Sequence, residues 1–384
     1  MSVEIKKFEK FNLFQYLTED IDASTFKTIP EGSEMPTSGV VKLGIDPTSD
    51  KLHLGHLIPI RMVKKLKENG MDVHIILGTF TAQMGDPSGK DTMRPILSLS
   101  ATKANADSII SQMHRVLGED ITIHYNHEWF NQMTLPEIMR MLSKYTVDFL
   151  MSRDAFQKRQ TSGNPIGMHE LIVPLLQGLD SVQLNANVEV GGTDQLFNFL
   201  LSRDVQAKMG QTPEICFMSP VINGTDGRKM SKSYNNCIYI NDSPKDVFGK
   251  VLSISDTTMH EWYPLFIENY DKEGHPMTLK KALAVEVTNI IWGPGSGEKE
   301  KEAFEKVTSG SLPEDIKDYP LVPLVDFIAN MAKLSKGDSR RLVTQGAVSV
   351  AKSGSHDLNK VGLDYQIEKG DVIKAGKRNY GRAV

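Results

Sequence analysis

Apolar positions along this chain follow two rhythms. Short apolar runs at Gly39–Ile45, Val73–Leu77, Ile121–Tyr125, Val188–Val190 and Ile215–Met218 have the length of buried strands. Between them, apolar residues recur at helical spacing. Leu57, Ile60, Met62, Val63 and Leu66 mark a helix over Leu54–Asn69, ended by Gly70. Ala101–Leu117, Leu135–Leu142, Val147–Phe156, Met168–Leu184 and Gln195–Lys208 read the same way, with Pro174 expected to kink or split its helix. Strands alternating with helices of this length predict an α/β fold, a doubly wound parallel sheet with crossover helices.

Downstream the pattern changes. Pro244–Ser253, Thr257–Glu268 and Leu279–Trp292 read as small helices, the glycine-rich Gly293–Gly297 punctuates them, and Glu298–Lys306 is a charged helix. Ser309–Tyr319 reads as a linker. Leu321–Lys333 is an amphipathic helix, Ser335–Gly346 a short basic one, and alternating short strands follow, turning at Lys369-Gly370-Asp371. Residues 1–38 read as a leader, helical over Phe11–Leu17 and turn-rich over Ser24–Gly39. The expected divisions are a leader (1–38), a catalytic domain (39–223), a basic loop with a helical domain (224–318) and an α+β tail (319–384).

Composition narrows this little; charge does more. With 384 residues, 40% of them hydrophobic, there is ample chain for a core. No apolar run reaches the ~18 residues of a membrane span, and the N-terminus lacks an apolar signal core, so a cytoplasmic protein is expected. Two cysteines, Cys216 and Cys237, suggest neither a disulfide framework nor a cysteine-rich zinc site. The net charge of -4 hides an asymmetry: Leu321–Val384 carries 11 Lys/Arg against 6 Asp/Glu. A basic tail on an acidic body suits a polyanionic partner, though an ordinary solvated surface would look the same.

Two stretches carry candidate chemistry. His53-Leu54-Gly55-His56 lies where a strand and turn feed a helix. Gly55 lets a ligand approach the backbone, and the helix start favours an anion. Two histidines three apart can face one ligand, or simply cap the turn; a zinc site lacks a third ligand nearby. Gly224–Ser233 (GTDGRKMSKS) is polar and cationic between apolar runs. It lacks the glycine spacing of a phosphate-wrapping loop, so it would meet phosphate through lysine point charges.

In that order on an alternating strand–helix chain, these stretches resemble the two signatures of class I aminoacyl-tRNA synthetases. Lys42–Thr48 (KLGIDPT), Gly85-Asp-Pro-Ser-Gly89, Gln177 with Asp180, and Gly191-Gly-Thr-Asp-Gln195 resemble the bacterial-type tyrosyl enzymes, and Lys42 looks like their second subgroup. The tail resembles an RNA-binding domain shared with a small-subunit ribosomal protein. The likeness covers nearly the whole chain from about Phe11.

The resemblance implies a Rossmann-like catalytic domain that joins L-tyrosine to its tRNA through an ATP-derived tyrosyl-adenylate. It implies catalytic roles for His53, His56, Lys229 and Lys232. The ATP site would comprise these with Gly44, Asp46, Gly55, Gly192, Asp194, Met230 and Ser231. Lys42, Asp86, Gln177, Asp180 and Gln195 would bind the amino acid, with Asp180 accepting from the tyrosine hydroxyl. Lys336, Arg340, Arg341, Lys374, Lys377 and Arg378 would form a phosphate-binding face for RNA. Mg²⁺ is expected with ATP and without dedicated protein ligands, and a homodimer is implied. The chain departs from the family at Val173, usually tyrosine; at Gly178-Leu179, usually Ala-Tyr; and at Thr79 and Ala82, usually Asp and Gly. Those changes predict weaker or altered amino-acid choice. Two alternatives follow: a diverged paralogue using another amino acid, or a non-catalytic RNA-binding regulator.

Overall fold

Val40–Ile45 is the strand about which the first sheet turns. In the computed structural model it pairs in parallel with Asp72–Leu77 on one side and Val188–Gly192 on the other. The structure describes residues 17–18, 26–34, 36, 38–84, 97–267, 274–308, 312, 316–355, 357–376 and 379–384. Most of the leader with its Phe11–Leu17 helix, the Gly85–Gly89 stretch with Asp86, much of the 309–319 linker, and Lys377 with Arg378 lie outside these.

The sheet contains β1 (Lys27–Ile29), β2 (Val40–Ile45), β3 (Asp72–Leu77), β4 (Thr122–Tyr125), β5 (Val188–Gly192) and β6 (Ile215–Ser219), in the order β1-β6-β5-β2-β3-β4. All neighbours are parallel except β1, which runs antiparallel to β6. Strand order steps away from β2 in both directions, so the topological switch lies between β2 and β5. Ligands of such sheets bind in the crevice at the carboxyl ends there. Ile45 and Gly192, the last residues of β2 and β5, open onto that crevice.

Helix Leu54–Glu68 seals β2 and β3 with Leu54, Leu57, Ile58, Ile60, Met62, Val63 and Leu66, all buried. Each such side chain contributes roughly 1.5–3 kcal/mol. Lys42 alternates with Val41 and Leu43 along β2 and reaches helix Met168–Leu184 instead. That helix lies close against helix Leu196–Lys208: a Cβ on Gly178 would sit 2.7 Å from a Val205 methyl.

Two expectations change here, and a third is narrowed. The Lys27–Ile29 strand was not anticipated; it is three residues long and is held by pairing with Cys216–Met218 and by the Phe26–Phe217 ring contact. Val147–Phe156 is two helices, Val147–Met151 and Asp154–Thr161, because buried Arg153 takes extended backbone and caps the second. Pro174 does not split its helix, which runs through to Leu184. The one lost bond is offset by burial of Val173, Pro174, Leu175 and Leu176 around it.

The chain forms two compact units, residues 1–294 and 295–384. Helices Pro244–Leu252, Asp256–Phe266 and Pro276–Trp292 belong to the first, around fully buried Trp262. The second holds helix Ser296–Thr308, β7 (Lys317–Tyr319), helices Leu324–Ala332 and Lys336–Thr344, and β8 (Val348–Ala351), β9 (Asn359–Lys360), β10 (Val372–Ala375) and β11 (Asn379–Ala383). Its sheet order is β7-β11-β10-β8-β9. The end of the expected linker is thus a strand, β7, parallel to β11. Leu324, Phe327, Ile328, Val343, Val348, Val350, Ile373 and Ala375 form this unit's core. Among the described residues, no helix is long and apolar enough to cross a membrane.

Candidate active site

His53 is the N-cap of helix Leu54–Glu68. Its Nδ1 accepts the Gly55 N–H at 3.2 Å, and His56 Nδ1 accepts the His53 N–H at 3.1 Å. A Cβ on Gly55 would meet the His53 ring at 3.1 Å, so glycine lets the ring fold over the helix start. The rings lie 3.9 Å apart between centroids. The capping reading holds: each Nδ1 accepts from backbone, so each neutral ring carries its proton on Nε2. Burial pushes the His56 pKa down to about 4, helped by Lys232. Burial, His56 and both loop lysines push His53 lower still. Both are neutral donors at physiological pH.

The basic loop arrives from the other side of the crevice, after β6. Its base is an antiparallel bridge between Asn223 and Lys229, anchored where Asn223 donates to Glu261 and its carbonyl accepts from Trp262 Nε1. Gly227 supplies the positive φ at the tip. Lys229 Nζ lies 3.2 Å from Asp194 Oδ2, just beyond β5, and Lys232 Nζ donates to Ser49 Oγ in the turn that precedes His53. The loop thus spans both sides of the switch point. Met230 is buried, and its N–H is spent on the Ile222 carbonyl. Ser231 Oγ accepts the Ser233 N–H. Both shape the loop, Met230 by burial and Ser231 by capping the turn that follows.

Between these walls, Gly44 is exposed at the end of β2 with open space where a Cβ would be. Asp46 accepts from Thr81 Oγ1 at 2.7 Å. A Cβ on Gly192 would crowd Asp194 at 2.6 Å, and Gln195 accepts from Asn198 at 2.7 Å.

A polar nest lies deeper, beneath helix Met168–Leu184. Buried Asp180 accepts from Trp129 Nε1 at 2.9 Å and Asn126 Nδ2 at 3.3 Å. Burial raises its pKa to about 7, against the pull of Lys42, Asn126 and Trp129. Gln177 donates to Glu189 Oε1 at 3.1 Å. Lys42 is corrected from its expected role. Its ammonium donates to Ser181 Oγ at 2.5 Å, Glu189 Oε1 at 2.8 Å and the Gln177 carbonyl at 3.2 Å. All three donors are taken, so it holds Gln177 rather than a substrate. Glu189, Glu214 and Cys216 bring possible metal-ligand atoms within 4.8 Å of one another. The cation on Glu189 is Lys42, while burial and then Glu189 raise the Glu214 pKa well above the carboxylate range.

Asn126, Trp129, Thr81, Ser181 and Glu189 escaped the sequence reading. Asn126 and Trp129 follow β4 directly, and the carboxyl end of a parallel strand is itself a signal. Three of the departures from the family pattern have partners of their own. Leu179 packs in the apolar cluster with Phe130 and Phe156, Gly178 faces Val205, and Thr79 Oγ1 bonds His127 Nδ1 at 2.7 Å. Val173, four residues before Gln177, shares its helix face.

In the second unit, Lys336, Arg340 and Arg341 are exposed on one helix, with Lys336 paired to Asp326 and Arg341 to Asp338. Lys374 does not join them. Ile373 and Ala375 pack into the core beside the helices, so Lys374 lies on the opposite sheet face, its Nζ 5.3 Å from the centre of the Tyr380 ring.

A sequence profile of the class I tRNA synthetases (W and Y) matches residues 37–308. A tyrosine–tRNA ligase of Dehalococcoides mccartyi is 37% identical over 366 residues, covering 90% of this chain and 91% of its own. One from Chlorobaculum tepidum is 35% identical over 380 residues, covering 94% and 92%. Among solved structures, a truncated mitochondrial tyrosyl-tRNA synthetase of Aspergillus nidulans superposes with a TM-score of 0.63 at 20% identity, over 79% of this chain and 96% of that one. The Archaeoglobus fulgidus tyrosyl-tRNA synthetase complexed with L-tyrosine gives 0.55 at 18%, over 75% and 98%.

Proposed function

The chain belongs to the class I tRNA synthetases of the tryptophanyl and tyrosyl family, and from that premise we propose that it attaches L-tyrosine to tRNA-Tyr at the expense of ATP. The observation that carries the reading is the buried Asp180 carboxylate between Trp129 and Asn126, beneath a crevice rimmed by His53, His56, Lys229 and Lys232. A buried acceptor suits a phenolic hydroxyl and penalises its absence. Tyrosyl enzymes are themselves the known case of that discrimination.

In the first step the tyrosine carboxylate oxygen attacks the α-phosphorus of ATP, and the bond to the β-phosphate oxygen breaks, releasing pyrophosphate. Lys229 and Lys232 meet the charge that builds on the leaving group, and the Nε2–H groups of His53 and His56 donate to the nucleotide. This is electrostatic catalysis by groups already in place. Asp194 serves the ribose, and Gln177, with Asp86, the substrate ammonium. In the second step a terminal ribose hydroxyl of the tRNA takes the tyrosyl group and AMP leaves.

Mg²⁺ supplies charge neutralisation on the triphosphate. Among the described residues, Glu189, Glu214 and Cys216 form one buried cluster beside Lys42 that is unsuited to a hydrated hard cation; we read Mg²⁺ as a companion of ATP. Exposed Leu135, Met139, Val147 and Phe149 on neighbouring helices support a homodimer. The tail, residues 319–384, is read as the RNA-binding module, working through Lys336, Arg340 and Arg341, in a cytoplasmic enzyme.

Charging of tRNA with radiolabelled tyrosine tests the reading. Tyrosyl-tRNA formed only with ATP supports it. Charging with a different amino acid would overturn it.

A further inference from the structure

We propose that Asn236 is a positioning residue for adenylate formation, fixing the spacing of Lys229 and Lys232 as they meet the triphosphate; this rests on the functional reading above. Asn236 is 2% exposed and does not itself reach the crevice. Its Oδ1 accepts the Ser231 N–H at 2.8 Å. Its Nδ2 donates to Asp226 Oδ1 at 2.7 Å, the Lys229 carbonyl at 3.1 Å and the Arg228 carbonyl at 3.2 Å. Its own carbonyl accepts the Thr225 N–H at 3.0 Å. Three oxygens face the nitrogen and one N–H faces the oxygen, so the amide fits in one orientation and one of its two protons is shared.

One side chain therefore grips the main chain on both flanks of Met230, at Lys229 and Ser231. The geometry that brings it there is specific. After the short turn Lys232–Tyr234, Asn235 takes a left-handed φ of 52° and sends the chain back beneath the loop. Gly224 leaves the room: a Cβ there would lie 2.4 Å from Asn236 Cγ. A solvated basic loop would hold two lysines in a broad range of positions. With the buried amide in place, the Lys229 carbonyl and the Ser231 N–H are fixed against each other, and Lys232 follows directly. Preset donors of that kind act on charge at the moment it develops, without reorganising.

The test uses the full-length protein with Asn236→Ala. Three quantities are measured: tyrosine-dependent ATP–pyrophosphate exchange, the tyrosine Kd by calorimetry, and the thermal midpoint. The expected result is a fall in kcat of roughly 10²-fold with a raised ATP KM, the scale of a misplaced reacting group, at an unchanged tyrosine Kd. Combined with Lys232→Met, Asn236→Ala should cost little beyond Lys232→Met alone, because both act through one loop. Should Asn236→Ala fail to fold, the near-isosteric Asn236→Asp keeps the Oδ1 that accepts from Ser231 and removes the Nδ2–H donors to Asp226, Lys229 and Arg228, and the same kinetic signature is expected. Wild-type exchange kinetics in the variant, or losses that multiply in the double variant, overturn the inference alone. A wild-type protein without tyrosine-dependent exchange overturns the functional reading and this inference with it.

Discussion

Lys42 and Glu189 meet at 2.8 Å with both side chains 1% exposed, and Gln177 is tied to both of them. Burial alone would push the Lys42 pKa down, but Glu189, Glu214 and Asp180 together hold it above the ordinary lysine value. Lys42 is therefore held as a cation against Glu189, and removing one partner strands the other. Lys42→Met and Glu189→Gln should each lose about 3–5 kcal/mol of stability, read by urea denaturation. The double variant should recover part of that loss. Simple addition of the two losses would count against the pairing. Both single variants should also raise the tyrosine KM more than the ATP KM.

The raised pKa of Asp180 makes a pH prediction whose sign is fixed. Its folded value of about 7 lies above the ordinary 3.8. The group therefore contributes stability in full below pH 4, and that contribution is lost as pH rises through 7 in the free protein. A bound phenol donates to the ionised form, so tyrosine affinity should rise with pH by up to about tenfold per unit below 7, then level. Calorimetry in two buffers near pH 6 should register proton release on tyrosine binding. Asp180→Asn should flatten the profile and weaken discrimination against phenylalanine. A tyrosine affinity constant between pH 5.5 and 8 in the wild type contradicts this account.

On the proposed reading, His53 combines two duties that substitution can separate. Asn is a good N-cap, so His53→Asn should keep the thermal midpoint and lose the Nε2 donor, with kcat for adenylate formation down roughly 10²–10³-fold. His53→Ala should lose the same rate and a further ~1 kcal/mol of stability. Because burial keeps both imidazoles neutral, the rate should show no ionisation from them between pH 6 and 9. An inflection in that range that disappears in His53→Asn would contradict the assignment.

On the proposed reading, the loop lysines act on the ATP side alone. Lys229→Met and Lys232→Met should each lower kcat for pyrophosphate exchange while leaving the tyrosine Kd, measured without ATP, where it was. Lys229→Met also releases Asp194 from its 3.2 Å contact. A weakened tyrosine Kd in either variant would mean that the loop belongs to the amino-acid pocket.

What the sequence made legible was what is contiguous in it. The β2 strand, helix Leu54–Glu68 and β3 follow one another with strong periodicity, and their order alone predicts the crevice. His53 to His56 and Lys229 to Lys232 are compact enough to read as units. The deeper nest was only half visible. Asp180 and Gln177 came from resemblance, but Trp129 is 51 residues from Asp180, and Glu189 meets Lys42 only across paired strands. A lone Trp or Glu carries no local signal, because its partner is chosen by the sheet order. Lys42 shows the same limit in reverse: it was assigned to the substrate, whereas burial gave all three of its donors to the protein. The Lys27–Ile29 strand was hidden for a different reason, since three residues carry no period and depend on β6 for their hydrogen bonds.

The central claim is that one crevice selects a phenolic amino acid and activates it on ATP. ATP–pyrophosphate exchange with the wild-type protein, run against each standard amino acid in turn, tests it most directly. Exchange with tyrosine and none with phenylalanine is the predicted result. Exchange with some other amino acid, or with none, would contradict it.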